Sequence, residues 1–346
     1  MISIQDIINY YREVNPNRSN STYNVMKFNI IRLEKITSKD INDLSIKDFE
    51  HISKSEKLFA HYALNTQIQT IMGIKTFLKY KDAPNALILK WNETLKIYCD
   101  KTKKIIEKNE MTKNEQINWI PYPELKEKVN KFYKDEFYQY LDDDKLNDYQ
   151  KYKWTRDFLL LCLYTELPPA RIGNYQFMII KYKNKRAGTS LNKKYNYLMV
   201  NGDGSYGLVF NQYKTSQYLG QIDHKIPTDN IISEILGKYL DIRSNFVNSK
   251  KILTLFVNKD IRDMTQSNIT ETLKFITRKV IDKELSVNLI RHIFISDYLT
   301  QNHTIEQKRK IANFMGQTYD ATMMEKYNKK KSPEEIKNDK LVVTFD

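Results

Sequence analysis

Cysteine is nearly absent from this chain: two in 346 residues, Cys99 and Cys162, both in apolar, helical-looking surroundings. A disulfide framework is therefore not expected, and a reducing intracellular compartment is the natural setting. Histidine is scarce too. His51, His61, His224, His292 and His303 show no C-x-x-C or H-E-x-x-H spacing, so no metal site is expected. No apolar run approaches the ~18 residues that span a bilayer, and the segment after Met1, ISIQDIINYYREV, is polar and amphipathic, unlike a secretory leader. Internal repeats, coiled-coil heptads and low-complexity tracts are missing as well. These absences predict a soluble intracellular protein with no membrane partner.

What is present is sufficient for about two domains, which run roughly 100–200 residues each. Hydrophobic residues make up 41% and aromatics 12%, enough to bury real cores. The formal net charge is +14 with a pI near 9.3. The excess is spread out: residues 1–118 carry nineteen basic and fourteen acidic side chains, residues 119–346 thirty-seven and twenty-eight. A basic field on both halves attracts polyanions, of which nucleic acid is the commonest large one. A genome that favours Lys, Asn, Ile and Tyr codons accounts for part of the same excess.

Residues 1–110 read as a domain of four or five helices. Ser3 is the expected N-cap of SIQDIINYYREV, and STYNVMKFNIIRLEKI repeats apolar residues at three- and four-residue intervals. KLFAHYALNTQIQTIMGIKTFLKY reads as one further helix, with Pro84 breaking the chain before ALILKWNETLKIYCDKTKKII. The stretch before WIPYPEL lacks helical periodicity, which places a linker over 111–120. A second domain, 121–331, opens with two helices. Three short strand-like runs follow, FMIIKY, YNYLMV and YGLVFNQY, the last two joined by the turn NGDGS. Helices then return, up to a tail over 332–346. The fold class expected is mainly α with a small three-stranded sheet, α+β overall.

Four residues in the second half carry a chemistry when taken in order. Arg171 lies in ELPPARIGNY, Lys214 in NQYKTSQYLG, Arg291 in SVNLIRHIFISDYL, and Tyr327 in ATMMEKYNKK. Phosphodiester exchange needs a nucleophile, charge on the non-bridging oxygens and a proton for the leaving oxygen. Guanidinium suits the second task because its planar fork matches two phosphate oxygens and stays charged. Taken alone, Arg171 reads as a cation at a helix C-terminus and Lys214 as a solvated edge residue. Arg291 is unusual in so apolar a helix unless it is paired or functional.

The ordered series resembles the tyrosine recombinases, the phage-type integrases. The LPP-R box around Arg171 is similar to the form found in integrases of eukaryotic viruses and mobile elements. That resemblance covers residues 119–330 and extends more loosely to the N-terminal helices, which look like the family's core-binding (SAM-like) domain. It implies that the two domains clamp duplex DNA and that Tyr327 attacks a phosphate to give a 3′-phosphotyrosyl bond. Arg171 and Arg291 would neutralise the transition state, and Lys214 would protonate the 5′ oxygen, a role suited to a lowered pKa. Lys225 in the same hairpin is the alternative acid, and Tyr319 the alternative nucleophile. Where the family places a histidine three residues before the second arginine, this chain has Asn288. Where it places His or Trp in the third box, the chain has Gln317. Both can donate hydrogen bonds to phosphate, and neither can take the proton of Tyr327. His292 is expected to be structural.

The same resemblance implies a homotetramer on two DNA sites and no requirement for ATP or metal. The tail 332–346 would dock on a neighbouring protomer. A type IB topoisomerase or telomere resolvase shares nearly the same constellation, and a DNA-binding protein that has lost catalysis is the alternative outside enzymes. The Asn-, Lys- and Ile-rich composition and the LPP-R box suggest a viral or virophage-like element, acting in a host nucleus or a viral factory.

Overall fold

In the computed structural model, which describes residues 2–108, 110–183, 191–249, 251–317 and 329, the chain divides into two compact units, residues 1–108 and 109–346. The first is helical: α1 (Ile4–Val14), α2 (Asn20–Thr37), α3 (Ile52–Phe59), α4 (Leu64–Tyr80) and α5 (Asn85–Glu107). Local chemistry starts each element. Ser3 caps α1 through a reciprocal bond with Asp6, and Ser19 accepts the Thr22 amide at the start of α2. Tyr23, Met26, Ile30 and Leu33 fall on the buried stripe that the spacing in α2 predicts. The helix expected from Lys57 to Tyr80 is broken at Ala60–Ala63. There the Gln67 amide donates to the Ala60 and Tyr62 carbonyls, at 2.9 and 2.7 Å, replacing helical bonds. The α2 and α4 backbones meet at Gly73, where a Cβ would lie 2.9 Å from the Asn29 carbonyl oxygen. Trp91 is fully buried and donates to the Phe49 carbonyl at 3.0 Å.

The second unit begins with α6 (Lys113–Asn118), α7 (Tyr122–Phe132), a five-residue π-helical stretch (Tyr133–Phe137) and α8 (Tyr138–Leu141). The segment read as a linker therefore contains a helix. Its start is fixed by Thr112 and Glu115 in a capping box, a local signal that apolar periodicity does not detect. Next come α9 (Asp148–Thr165) and α10 (Ile172–Gln176), then, among the described residues, four strands rather than three: β1 (Ile179–Lys183), β2 (Tyr197–Asn201), β3 (Tyr206–Phe210) and β4 (Ile222–Lys225), with α11 (Ser216–Leu219) between the last two. The order is β1-β2-β3-β4. β1 pairs parallel to β2, with Ile179 opposite Tyr197, and the other pairs are antiparallel. NGDGS forms the β2–β3 turn with Gly204 at φ 82°. α12 (Ile231–Val247), α13 (Gln266–Ile281), α14 (Val287–Tyr298) and α15 (Ile305–Phe314) complete the unit.

The core of this unit is built around α9, buried on nearly every side and packed against α12. Several of its polar groups are matched internally. The Arg156 guanidinium pairs with Asp157 and donates to the Val257 carbonyl at 2.9 Å, while the Tyr152 hydroxyl accepts the Val257 amide at 3.0 Å. A central helix tied to its neighbours by such bonds is a rigid frame for whatever follows it, and Arg171 follows it directly. Among the described residues, no helix is long and apolar enough to cross a membrane.

Candidate active site

Pro168 and Pro169 have no N–H to extend α9, so the chain leaves the helix extended and restarts at α10 with Arg171 as its N-cap (φ −78°, ψ 154°). Arg171 is half-buried and its Nη1 donates to the Gly316 carbonyl at 2.8 Å. The same oxygen accepts the Thr215 hydroxyl at 2.8 Å. Three segments far apart in sequence thus share one carbonyl: the first arginine box, the β3–β4 connection and the turn after α15. Gly316 can make this turn because it sits at φ 66°, with the Tyr213 ring 3.2 Å from where a Cβ would be.

Lys214 lies in the β3–β4 connection, exposed, beside Thr215. The position of that loop is set by Asn196, a buried residue that the sequence does not mark. Its amide donates to the Asn174 and Gln212 carbonyls at 2.9 and 2.8 Å, and its oxygen accepts the Asn211 and Gln212 amides at 2.8 and 2.7 Å. One side chain therefore stitches α10 to the loop carrying Lys214. Lys225, the alternative acid, is at the end of β4 opposite Gly207 and is not among the residues lining the cleft described next.

Arg171 and Lys214 line a cleft of about 450 Å³ together with Asn288. Its other polar walls are Asn174, Gln212, Tyr213, Gln266, Thr270 and Ser286. Two cations, four amides and three hydroxyls face this space, and among the described residues its lining has no carboxylate. The N-terminal turns of α13 and α14 also open on it, through Gln266 and Thr270 and through Ser286 and Asn288. Their unpaired amides and dipoles add positive potential. The site is built for an anion. Asn174 is 1% exposed, and its Nδ2 has no hydrogen-bond partner among the described residues. Gln266, Thr270 and Ser286 carry no local signal in the sequence.

Arg291 is not on the cleft wall. It is fully buried, and its Nη1 donates to the Pro169 carbonyl at 2.6 Å and the Met315 carbonyl at 3.3 Å. It thereby ties α14 to the backbone on either side of the Arg171–Gly316 bond. Burial pushes the Tyr164 and Tyr175 phenols well above their ordinary range, and the nearby Arg291 charge acts against that shift. Gln317 is also buried, its backbone amide bonded to Ala312 and its side-chain amide without a partner among the described residues. His292 faces Glu115, 4.0 Å away, and does not line the cleft. Tyr327, Tyr319 and the tail 332–346 lie outside the described residues.

No family model and no curated protein matches this chain. Among solved structures it is similar to XerA recombinase, at 13% identity and a TM-score of 0.39, covering 99% of this chain and 98% of the other. It is also similar to the Tn1549 transposon integrase solved in complex with transposon right end DNA, at 10% identity and a TM-score of 0.41, covering 99% of this chain and 100% of the other.

Proposed function

We propose that the chain is a tyrosine recombinase of the integrase type that cleaves and rejoins duplex DNA through a 3′-phosphotyrosine. The observation that carries this is the anion-suited cleft, on which Arg171, Lys214 and Asn288 converge from three distant segments. Gly316 bonds two of those segments together. A phosphodiester presents one negative charge to such a wall, and the transition state presents more.

Tyr327 attacks phosphorus as its phenol gives its proton to solvent water, forming the O–P bond while the bond to the 5′ oxygen breaks. Arg171 binds the non-bridging oxygens directly, and Asn288 donates a hydrogen bond. The buried Arg291 contributes its charge from beneath, undiminished by bulk water, and holds the Arg171 segment in place. Gln317 adds a hydrogen-bond donor at the third position. Lys214 supplies the proton to the departing 5′ oxygen. Asn288 and Gln317 are neutral, so neither takes the phenol proton. Attack by the 5′ hydroxyl of another strand reverses each step, restoring the phenol and the proton on Lys214. The phosphotyrosine conserves the bond energy, so the cycle calls for no ATP.

Both units contribute basic surface to the duplex, and exchange takes place in a homotetramer holding two sites. The LPP-R form of the first box favours integration of a viral or mobile-element genome.

A nicked suicide substrate tests the assignment. The wild type forms a covalent protein–DNA adduct that Tyr327→Phe does not. Binding that persists without an adduct in the wild type identifies a DNA-binding protein instead, and relaxation of supercoiled DNA by the monomer identifies a topoisomerase. Binding weakens with a log–log salt slope of about −0.9 per phosphate contacted.

A further inference from the structure

Lys329 is held at three points. Its backbone amide donates to the Ser296 hydroxyl on α14 at 3.0 Å, and its ammonium lies 3.2 Å from Glu115 Oε2 and donates to the Glu110 carbonyl at 3.3 Å. The two charged side chains are 13% and 15% exposed, so water screens the pair poorly. Glu115 is itself fixed: its Oε2 accepts the Thr112 amide at 2.8 Å, closing the capping box that starts α6. α6 is seated in turn by the loop before α14. There Lys283 Nζ donates to the Ile117 carbonyl and the Glu284 amide to Asn118 Oδ1, both at 2.8 Å. Lys329 therefore docks on an element that is already anchored.

Lys329 follows Tyr327 by two residues, and two residues of extended chain span at most about 7 Å. A fixed Lys329 is therefore a covalent restraint two residues from the nucleophile of the proposed reaction. For a nucleophile that must meet phosphorus in line, such restriction is worth more than the modest stability of an ion pair. We propose that Glu115 is a positioning residue for the nucleophile. Together with Ser296 it grips Lys329 and thereby presents Tyr327 to the phosphate bound at Arg171. The inference rests on the recombinase assignment, and it gives α6 a task in catalysis that neither of the arginine boxes supplies.

Glu115→Gln removes the charge while retaining an oxygen for the Thr112 amide, so the helix start survives. Lys329→Met removes the other partner, and Lys329→Arg preserves it. In single-turnover cleavage of the suicide substrate, the first two lose about 10-fold or more in rate at unchanged DNA affinity, and Lys329→Arg stays close to wild type. A substrate with a 5′-bridging sulfur, whose leaving group needs no proton, rescues Lys214→Ala and leaves Glu115→Gln slow. Wild-type rates in Glu115→Gln and Lys329→Met overturn the inference, as does rescue of Glu115→Gln by the sulfur substrate. Amide exchange in DNA-free protein gives a second readout independent of chemistry. Exchange over residues 318–331 accelerates in Glu115→Gln, and equal exchange in the two proteins overturns the grip. A wild type that makes no adduct sinks the recombinase assignment, and the exchange measurement alone then decides whether Glu115 anchors this segment.

Discussion

Gly316→Ala probes the joint on which the site depends. The alanine must hold φ near 66°, a left-handed conformation that costs a side chain about 1–2 kcal/mol. Its Cβ would also meet Tyr213 Cδ2 at 3.2 Å, so the ring must retreat by a few tenths of an ångström. Tyr213 is not free to do so at no cost, because its hydroxyl donates to the Gly220 carbonyl at 2.6 Å, a bond worth about 1 kcal/mol. The total is about 2–3 kcal/mol. In a cooperative unit of this size that lowers the melting temperature by roughly 4–12 °C. Gly204→Ala is the internal control. Its φ is 82° but nothing lies within 4 Å of the new Cβ, and it sits in the β2–β3 turn away from the cleft. It incurs the backbone cost alone, about 1–2 kcal/mol, and leaves cleavage untouched. Because the Gly316 carbonyl holds Arg171 and Thr215, Gly316→Ala also slows cleavage, by up to about 100-fold for a displacement of ~1 Å. Thermal and denaturant unfolding of both variants, with single-turnover cleavage, checks each part. Equal stability loss in the two variants refutes the Tyr213 clash, and undiminished cleavage in Gly316→Ala refutes the claim that this carbonyl sets Arg171.

The two arginines separate by mechanism. Arg171→Ala costs about 1 kcal/mol or less of stability, since it is half-buried and donates to the Gly316 carbonyl, yet abolishes adduct formation, whereas Arg291→Ala empties a fully buried site, strands the Pro169 and Met315 carbonyls and costs about 3–5 kcal/mol. Circular dichroism melts distinguish them, and equal melting temperatures refute the placement of Arg291 as an internal tie. Burial holds the His224 imidazole below its ordinary pKa, beside the Phe314 ring at 4.5 Å. Its folded form therefore favours the neutral state. The stability this confers is intact above about pH 6.5, the unfolded value, and is lost as pH falls from there toward the depressed folded pKa. His224→Leu should flatten that part of the pH–stability curve between pH 7.5 and 5.5, and an unchanged slope in the variant contradicts the assignment.

Some of this was readable from local chemistry and some was not. Ser3, Asn-Gly-Asp-Gly-Ser and Pro84 act within a few residues, so they mark a helix start, a hairpin turn and a break wherever they occur. Periodicity likewise marks the helices, and it errs where a side-chain amide such as that of Gln67 replaces helical bonds at Ala60–Ala63. β4 is four residues of mixed character, IDHK, and becomes a strand only because β3 offers it an edge. Asn196 looks like any polar residue before a strand until α10 and the Gln212 loop surround it.

The sequence by itself determined the helical composition, the turn that makes the β2–β3 hairpin, and the order of Arg171, Lys214, Asn288, Arg291 and Gln317, because residue identity and short-range geometry suffice for these. Tertiary structure alone decided which of them share a surface. It set Arg171, Lys214 and Asn288 around one cleft, sent Arg291 beneath it as a tie between backbone segments, and chose the Gly316 carbonyl as the common acceptor. The reason is physical: a hydrogen bond spanning 145 residues in sequence depends on packing of the whole unit, and no local pattern at either end records its partner.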